Sequence, residues 1–396
     1  MSGLHLEELR PTWAEIDLDA LAHNLRVVRG RLDGPGVLAV VKADAYGHGA
    51  VPVARRLERE GVDGLGVALV EEGVEIRRAG VTTPVLVMGG FAPAQADLLL
   101  SHDLTAAVFH VAHVEALAAA AARRWSPARV HVKIDTGMGH LGVPAEQLAG
   151  FADRLMTTAG VDVEGAFSHL AVAEEPGDPF TSQQIQRFLK AVATLKGRGL
   201  RPMLLHLANS AAVIDHRAAW MNLARPGLLL YGYNPVRRGA LLPVRPVLAL
   251  RSRIICLKEV ASGSTVGYGR TWRAAGPARI ATLAIGYADG LPGAAGNSGS
   301  VLIRGSRAPI VGRVSMDQTT VDVTGLPEVD LGDAATVIGA DGEDAIGADA
   351  VAAAAGTIPW EILARIGARV PRLVHDAGRI ALSSRFASQE TGRPLE

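Results

Sequence analysis

Eight short, almost continuously apolar runs alternate with amphipathic segments between about residues 19 and 232, and this alternation constrains the fold most. The runs are VLAVVK (37–42), GLGVALV (64–70), PVLVMGG (84–90), TAAVFH (105–110), ARVHVKID (128–135), VDVEGAFSHL (161–170), PMLLHLANS (202–210) and NLARPGLLLYG (222–232). Buried strands that alternate with helices are typical of parallel α/β domains, and eight of them close a (β/α)8 barrel. An open doubly wound sheet fits the same periodicity, but no G-x-G-x-x-G motif opens the first helix, which weakens a dinucleotide-binding interpretation.

The pattern changes after about residue 240. VLALRSRIICLKEV, RIATLAIGYA, SVLIRGSRAPIVGRV and TTVDVT alternate with Gly-, Pro-, Asn- and Ser-rich turns, which is typical of β-strands. A helical stretch, ADAVAAAAGTIPWEILARIG, follows them. We expect a (β/α)8 barrel domain over residues 12–240 and a mostly-β domain over residues 241–385, joined by the N-terminal strand TWAEID (12–17).

Composition excludes several classes of function. Forty basic residues balance forty acidic ones, so there is no electrostatic case for nucleic acid or an anionic membrane as a partner. Cys256 is the only cysteine, which excludes a disulfide framework and a cysteine-based metal site. The first residues, MSGLHLEELRPTW, contain no apolar signal-peptide core, and no apolar run approaches the roughly 18 residues of a membrane helix. We therefore expect a cytoplasmic protein without a bound metal.

Polar side chains stand at the ends of five of the predicted strands. In a barrel of this type the carboxyl ends of the strands form the rim that carries the active site. The polar residues at these ends are Lys42 with Tyr46, Lys133 with Asp135, Ser168 with His169, His206 with Asn209 and Ser210, and Arg225 with Gly227. One such ending is unremarkable, but five on one rim predict a polar pocket.

Lys42 is the most informative of these residues. A lysine at the end of a strand usually extends its amine into water, whereas a buried amine has a lowered pKa and serves as a nucleophile or base. Such a lysine is the type that forms a Schiff base with an aldehyde cofactor. Ser210 is either a plain helix cap or part of a phosphate site, and Gly227 after the eighth strand favours phosphate. Arg225 is either part of the pocket or the partner of a surface carboxylate. His169 is either part of the pocket or a hydrogen-bonded histidine of the core.

Three loop tips of the second domain carry further candidates. VGYGRTW (266–272) places Tyr268 between glycines, and IGYADG (285–290) and VSMDQ (314–318) are similar tips. Most tyrosines in such loops are structural, so the residues alone leave the role of these tips open.

A series of motifs extends over nearly the whole chain. They are VVKADAYGHG, KIDTGMGHLG, SHLA, ANS, ARPG, GYGRTW, IGYADG, SMDQ and GTIPWEILARIGARVPR. In this order and spacing the chain resembles the bacterial alanine racemases. The resemblance implies a (β/α)8 barrel followed by a β domain, pyridoxal 5'-phosphate as cofactor, an amino acid as substrate, and a head-to-tail homodimer with composite active sites.

The resemblance also implies residue roles. Lys42 would hold the cofactor and act as the base on one face of the substrate, and Tyr268 of the other subunit would be the base on the opposite face. The further cofactor-binding positions are Tyr46, His169, Asn209, Ser210, Arg225, Gly227, Leu228 and Trp360, with Arg225 facing the pyridine nitrogen. The substrate-binding positions are His140, Tyr287, Met316 and Asp317.

Two positions depart from the family pattern. His140 stands where the family usually has an arginine that is steadied by a carbamylated lysine, which corresponds to Lys133. Because histidine is shorter and mostly neutral at pH 7.5, a carbamate would lack its charged partner, so we expect Lys133 to carry an unmodified amine. Trp360 replaces a tyrosine beside the phosphate and the substrate entrance, which removes a hydroxyl and adds a larger ring.

The function expected from the resemblance is interconversion of L-alanine and D-alanine, which supplies D-alanine for peptidoglycan. A racemase of another or several amino acids, such as serine, is an alternative that His140 and Trp360 leave open. A decarboxylase of the same architecture would rely on a cysteine near the second-domain site, whereas Cys256 lies in an apolar strand pattern. A non-enzymatic cofactor-binding protein would not need both Lys42 and Tyr268.

Overall fold

The computed structural model describes residues 10–175, 177–236, 241–326 and 328–383, which divide into two units. The barrel unit comprises Ala20–Ala45 and the described residues of Ala50–Arg245. The second unit comprises the described residues up to Asp19, Tyr46–Gly49 and the described residues from Pro246 onward. The predicted domain limits 240 and 385 lie outside the described residues, and the domain bounds stay a prediction.

Eight parallel strands form the barrel. After β1 (Thr12–Asp17), which belongs to the second unit, the barrel strands are β2 (Gly36–Val40), β3 (Gly64–Val67), β4 (Val85–Val87), β5 (Thr105–Val108), β6 (Ala128–Lys133), β7 (Val161–Phe167), β8 (Leu204–His206) and β9 (Leu223–Ala224). Each strand from β2 to β7 pairs with the next one along the chain, and β9 returns to pair with β2. The Arg225 amide donates to the Ala208 carbonyl at 2.9 Å beside β8 and β9, which nearly closes the ring. The (β/α)8 prediction is confirmed, and the open doubly wound sheet is excluded.

Helices alternate with these strands. They are α1 (Leu18–Leu32), α2 (Ala50–Arg59), α3 (Val70–Arg78), α4 (Ala96–Ser101), α5 (Val111–Arg124), α6 (Leu148–Thr157), α7 (Phe180–Gly197) and α8 (Ser210–Asp215). Helix α2 illustrates why they form: it buries Ala50, Val53, Ala54 and Leu57, one face at helical spacing. No helix in the described ranges is long and apolar enough to cross a bilayer.

Several strands are shorter than the apolar runs that predict them. Strand β9 has only two residues, and Leu228, Leu229, Leu230 and Tyr231 are buried in turns instead of continuing it. An apolar run indicates that its residues are buried, but buried residues can also lie in a turn. Here Pro226 and Gly227 interrupt the hydrogen bonding of the strand, so the residues after them form turns.

A left-handed turn follows β2 at residues Lys42–Tyr46. Ala43, Asp44, Ala45 and Tyr46 all have φ between 52° and 54°. This region is unfavourable for L-residues by roughly 1–2 kcal/mol each, so the surrounding structure must impose it. The sequence does not predict this turn, because residues 42–46 include no glycine.

The second unit is mostly β, as predicted. Its later strands are β10 (Leu248–Val260), β11 (Thr265–Val266), β12 (Trp272–Arg273), β13 (Ala278–Leu283), β14 (Ser300–Ile303), β15 (Ser306–Pro309), β16 (Thr319–Asp322), β17 (Ala334–Asp341), β18 (Asp344–Ile346), β19 (Arg372–Asp376) and β20 (Arg379–Ser383). The main sheet has the order β15-β14-β17-β10-β1-β19-β20, in which β1 pairs antiparallel with β10 and parallel with β19. Strand β13 joins β10 to β16.

The helical stretch predicted at the end of this unit is two helices, α9 (Ala348–Ala355) and α10 (Pro359–Ala364). Gly356 ends α9 in a left-handed conformation with φ of 68°, and Pro359 is the first residue of α10. Both residues interrupt the backbone hydrogen bonds of a continuous helix, so the prediction of one stretch is wrong in this respect.

Candidate functional site

Three cations of the barrel unit influence one another at the carboxyl ends of the strands. Burial, followed by the positive charges of Arg225 and Lys42, lowers the pKa of Lys133 to about 8. The Asp135 carboxylate opposes this effect. The predicted rim residues Lys42, Lys133, Asp135 and Arg225 are therefore brought together, with more positive than negative charge among them.

Lys42 follows a firmly held backbone. The Val41 amide donates to the Gly66 carbonyl at 2.8 Å, and the hydroxyl of the fully buried Tyr231 donates to the Val40 carbonyl at 2.9 Å. The lysine itself is exposed, so of the two interpretations left open by the sequence the structure does not show the buried amine. The physical reason is its place after the last residue of β2, where the chain turns away from the barrel interior. The amine is consequently accessible to a ligand.

Glu72 ties the left-handed turn to the next loop of the barrel. Its carboxylate accepts from the amide of Ala43 at 2.6 Å, and from the amides of Ala68 and Leu69 at 2.8 and 3.0 Å. Within the turn, Asp44 accepts from the Ala50 amide at 2.7 Å. Charged acceptors strengthen such bonds. Glu72 thus fixes the residue next to Lys42, a role with no local sequence signal because the two are 30 positions apart.

Arg225 is buried in the barrel, at 4 % exposure, among neutral acceptors. Its guanidinium donates to the carbonyls of His206 and Ser168, both at 2.6 Å, and to Nδ1 of His206 at 3.0 Å. A longer contact of 3.4 Å reaches Nδ1 of His169. Burial lowers the pKa of Arg225 to about 9, so it stays protonated at neutral pH. No carboxylate of the described residues pairs with it, which excludes the surface ion pair.

The two histidines around Arg225 are neutral. Burial, and then the charge of Arg225, lowers the pKa of His169 to about 3 and that of His206 well below its ordinary value. A neutral imidazole has one nitrogen that accepts and one that donates. His169 and His206 therefore serve Arg225 as acceptors without adding charge to the site.

Ser210 does not cap α8, which corrects one of its two interpretations. The cap is Asn209, whose Oδ1 accepts from the Ala212 amide at 3.0 Å. The Ser210 hydroxyl instead accepts from the amides of Gly227 and Leu229, at 2.9 and 3.3 Å. It thereby joins the loop after β8 to the loop after β9, the region in which barrels of this type commonly bind phosphate.

His140 lies close to His169 on the same rim, with ring centroids 6.4 Å apart. It is largely exposed, and desolvation, then the charges of Lys133 and Lys42, lower its pKa below its ordinary value. His140 is therefore neutral at pH 7.

Gln184 on α7 is a buried residue of this rim that sequence reasoning missed. Its amide nitrogen donates to the Thr136 hydroxyl at 3.2 Å and to the His169 carbonyl at 2.9 Å. The Thr136 and Ser168 hydroxyls are themselves 2.8 Å apart. Gln184 thus fixes the loops after β6 and β7. No sequence pattern marks this role, which becomes visible only from the buried position of Gln184 in the folded chain.

In the second unit two of the predicted tips are joined by their backbones. The amides of Tyr287 and Ala288 donate to the carbonyls of Ser315 and Met316, both at 3.0 Å. A Cβ at Gly286 would lie 2.3 Å from these two carbonyl oxygens, so this approach requires glycine. Tyr287 and Met316 are largely exposed, and Tyr268 in its own tip is 72 % exposed.

A buried carboxylate stabilises the same tips. Asp289 is fully buried and binds Arg10 and Arg369, the latter at 2.8 Å. Arg369 also binds the predicted substrate residue Asp317 at 2.5 Å. Asp317 is therefore held by a network rather than free in its loop.

Two predicted cofactor positions also lie in the second unit. Tyr46, at the end of the left-handed turn, is buried, and burial raises the pKa of its phenol. Trp360 is half-buried near the start of α10.

Comparisons with known proteins agree along the whole chain. Residues 16–235 match the N-terminal domain model of alanine racemase, and residues 247–374 match the C-terminal domain model. The alanine racemase of Symbiobacterium thermophilum is 42% identical over 371 residues, covering 93% of this chain and 98% of the relative. That of Geobacter sulfurreducens is 43% identical over 370 residues, covering 92% and 97%.

Solved structures agree as well. The alanine racemase from D-cycloserine-producing Streptomyces lavendulae has a TM-score of 0.89 at 34% identity, covering 93% of this chain and 98% of that one. The alanine racemase of Bacillus anthracis with bound L-Ala-P has a TM-score of 0.88 at 34% identity, covering 96% and 99%. With both domain models matched and such coverage, the chain belongs to the alanine racemase family, whose members are isomerases.

Proposed function

We propose that this chain interconverts L-alanine and D-alanine with pyridoxal 5'-phosphate as cofactor, in a homodimer whose active sites combine residues of both subunits. The observation that carries the proposal is the rim cluster of Lys42, Lys133 and Arg225, in which an accessible amine stands among buried or partly buried cations. The proposed role is the supply of D-alanine for peptidoglycan. The cytoplasmic location stays a prediction.

The residues present fit this cofactor. An exposed lysine amine suits covalent attachment to an aldehyde, and a surplus of positive charge suits a phosphate dianion. Arg225 is buried without a carboxylate, so a ring nitrogen that accepts a hydrogen bond would complete its partners. Tyr46, Ser210, Asn209, Gly227 and Leu228 would hold the phosphate. Trp360 would stand beside it with an indole N–H in place of a hydroxyl.

When bound, the cofactor supplies a conjugated ring that takes up the charge left when the α-proton is removed. Lys42 Nζ would take this proton on one face, and the Tyr268 phenol of the second copy would return one on the other face. Each group is left in the protonation state that the reverse reaction needs, so both directions proceed. Arg225 would donate to the ring nitrogen and keep its own proton, which would limit how far the ring stabilises charge and favour simple reprotonation.

The substrate would be bound by His140, Tyr287, Met316 and Asp317, the last three from the second copy. Met316 and Asp317 would offer the substrate carboxylate backbone N–H groups, because a thioether and a carboxylate donate no hydrogen bond. Because His140 is neutral here, it donates a hydrogen bond but supplies no full charge, so carboxylate binding depends more on the second copy's residues. Cys256 lies within β10, between residues of an antiparallel ladder, which does not favour the decarboxylase alternative.

Chiral chromatography of a panel of L-amino acids incubated with the cofactor-loaded enzyme tests the substrate. We expect alanine to racemise much faster than serine, lysine or arginine. A different preferred amino acid would indicate that His140 and Trp360 reshape the pocket, and no racemisation at all would contradict the proposal.

Mixing two inactive variants tests the composite site. Lys42→Ala and Tyr268→Phe homodimers should each be nearly inactive, whereas hybrids formed by co-expression should recover activity because one site per dimer keeps both groups. If both groups of a site came from one chain, the hybrid would recover none.

A further inference from the structure

Two imidazoles extend from Arg225 into the barrel interior. Arg225 Nη1 lies 3.0 Å from His206 Nδ1, and His206 Nε2 lies 2.7 Å from Nδ1 of His131 on β6. The other ring nitrogen of His131, Nε2, is 4.0 Å from Oε2 of Glu164 on β7. Both histidines are buried, at 0 % exposure for His206 and 3 % for His131. The two rings therefore depend on each other for their hydrogen bonds.

Arg225 determines the direction of this chain. Guanidinium nitrogens only donate, so His206 Nδ1 must accept and must carry no proton. A neutral His206 then carries its proton on Nε2 and donates it to His131 Nδ1. His131 in turn must carry its own proton on Nε2, the nitrogen that faces the negatively charged Glu164. Arg225 favours this order of tautomers from one end of the chain, and His131, as the acceptor for His206 Nε2, favours it from the other.

We propose that His131 is a positioning residue for the reaction: by accepting from His206 Nε2, it fixes the tautomer that presents Nδ1 to Arg225, and Glu164 orients His131. The inference deepens the proposed function and rests on it for the part that concerns the cofactor, since Arg225 is the group proposed to face the ring nitrogen. The tautomers themselves do not depend on that role. Burial lowers the pKa of His131 to about 3, which agrees with a neutral ring.

The packing leaves the rings little freedom. His206 stacks on Phe167 with ring centroids 4.7 Å apart and an interplanar angle of 6°. His131 lies against the backbone of Gly165, where a Cβ would come within 2.7 Å of the ring atoms Cε1 and Nδ1. Gly165 therefore provides the space for the imidazole of His131, so alanine at this position displaces the ring without changing any hydrogen-bonding group. If the barrel core required only apolar side chains at this place, a glycine at position 165 that makes room for an imidazole would not be needed.

Nitrogen-15 NMR of histidine-labelled, cofactor-loaded enzyme tests the proposal directly. In the wild type we expect His206 and His131 each to show a protonated Nε2 and an unprotonated Nδ1 between pH 6 and 8. Assignment uses the spectra of the His131→Asn and His131→Leu variants. A protonated Nδ1 on His206 in the wild type would overturn the inference, even if alanine racemises normally. The expected tautomers without any racemisation would contradict only the proposed function.

The variants separate positioning from filling. His131→Leu fills the space but removes the acceptor, so kcat should fall about tenfold, the effect of one hydrogen bond, with KM little changed and with mixed His206 tautomers. His131→Asn keeps an acceptor near the same place and should restore most of kcat and the single tautomer. Gly165→Ala should reproduce the tautomer mixing of His131→Leu. Equal kcat in the leucine and asparagine variants, or an unchanged His206 spectrum in His131→Leu, would refute a positioning role. These spectra remain informative if either variant is less stable.

Discussion

Whether Lys133 is carbamylated depends on the charge of the side chain at position 140. A carbamate requires a neutral amine, which a pKa of about 8 makes available on Lys133, and it also requires a cationic partner. The pKa of His140 is lowered by desolvation and by the Lys133 cation, so His140 presents no permanent positive charge to a carbamate as an arginine would. We propose that Lys133 therefore stays unmodified, and that position 140 controls this state.

The test is carbon-13 NMR in labelled bicarbonate. The wild type should show no carbamate carbonyl signal, and His140→Arg should gain one because a guanidinium pairs with the new anion. His140→Gln, which is neutral, is the matched control and should resemble the wild type. A carbamate signal in the wild type that disappears in Lys133→Ala would contradict the prediction.

Asp289 is the residue whose neutralisation should cost most in the second unit. In Asp289→Asn the buried charge that pairs with Arg10 and Arg369 is lost, and we expect a decrease of about 2–4 kcal/mol in the free energy of unfolding. Urea denaturation measures this decrease. Asp344→Asn, in the surface pair with Arg307, whose side chains are 38 % and 51 % exposed, is the control and should change stability very little. Equal stability of the two variants would show that the Asp289 network is unimportant.

Glu72 holds the left-handed turn after β2 and the loop before α3 in place, because its carboxylate accepts from both. In Glu72→Ala the amides of Ala43, Ala68 and Leu69 lose their shared acceptor. The turn should relax towards ordinary dihedral angles and displace Lys42, so kcat should fall at least tenfold. Glu71→Ala, the neighbouring position on α3, is the control, because the Glu71 carboxylate accepts from the Gln95 side-chain amide at 2.8 Å in a solvent-exposed contact away from the turn. Steady-state kinetics measures the effect. An equal loss of kcat in both variants would contradict a specific role of Glu72 in positioning Lys42.

The sequence predicts elements well where the signal is local. All eight barrel strands coincide with apolar runs, because a strand covered on both faces must be apolar along its length. The left-handed turn gives no such signal, since Ala43 and Ala45 are ordinary helix formers held against their preference by Glu72. The break at Gly356 was readable from glycine and proline, but the alanine-rich sequence around it favours a continuous helix.

The geometry of the site is less predictable than the fold, because its contacts join residues that are far apart in the sequence. The strand ends correctly placed Lys42, Lys133 and Arg225 on one rim, because parallel strands carry their carboxyl ends to one edge. They did not reveal that His131 bonds to His206, 75 positions away in the sequence. A histidine in the middle of a strand looks like any buried residue until its partner is known.

Over the whole molecule, the buried histidines predict sensitivity to acid. His131 and His169 have pKa values lowered to about 3, and that of His206 is lowered well below its ordinary value. These rings bind a proton near pH 6.5 only when the chain unfolds. Stability should therefore be complete above pH 6.5 and decrease as pH falls, by up to about 1.4 kcal/mol per pH unit for each histidine.

Urea denaturation at pH 6.5, 5.5 and 4.5 measures this slope. His131→Leu removes one of the three titrating rings and should reduce the slope by roughly one proton's contribution of about 1.4 kcal/mol per pH unit. His23→Leu, at a histidine in an exposed contact with the Pro243 carbonyl, is the control and should leave the slope unchanged. A slope that is flat in the wild type would mean that these rings are protonated in the folded protein.

The surplus of cations on the rim has a consequence for how the enzyme matures. The chain as a whole is neutral, but Lys42, Lys133 and Arg225 repel one another in the folded state, so any anion that binds among them relieves that repulsion. Inorganic phosphate should therefore raise the melting temperature of cofactor-free protein, with about 2.7 kcal/mol of added stability at a hundredfold excess over its Kd. Lys42→Ala should weaken this gain, and chloride at equal ionic strength should not reproduce it. The positive rim would then attract the anionic cofactor before any covalent bond forms, which makes electrostatic attraction the first event in assembling the active enzyme.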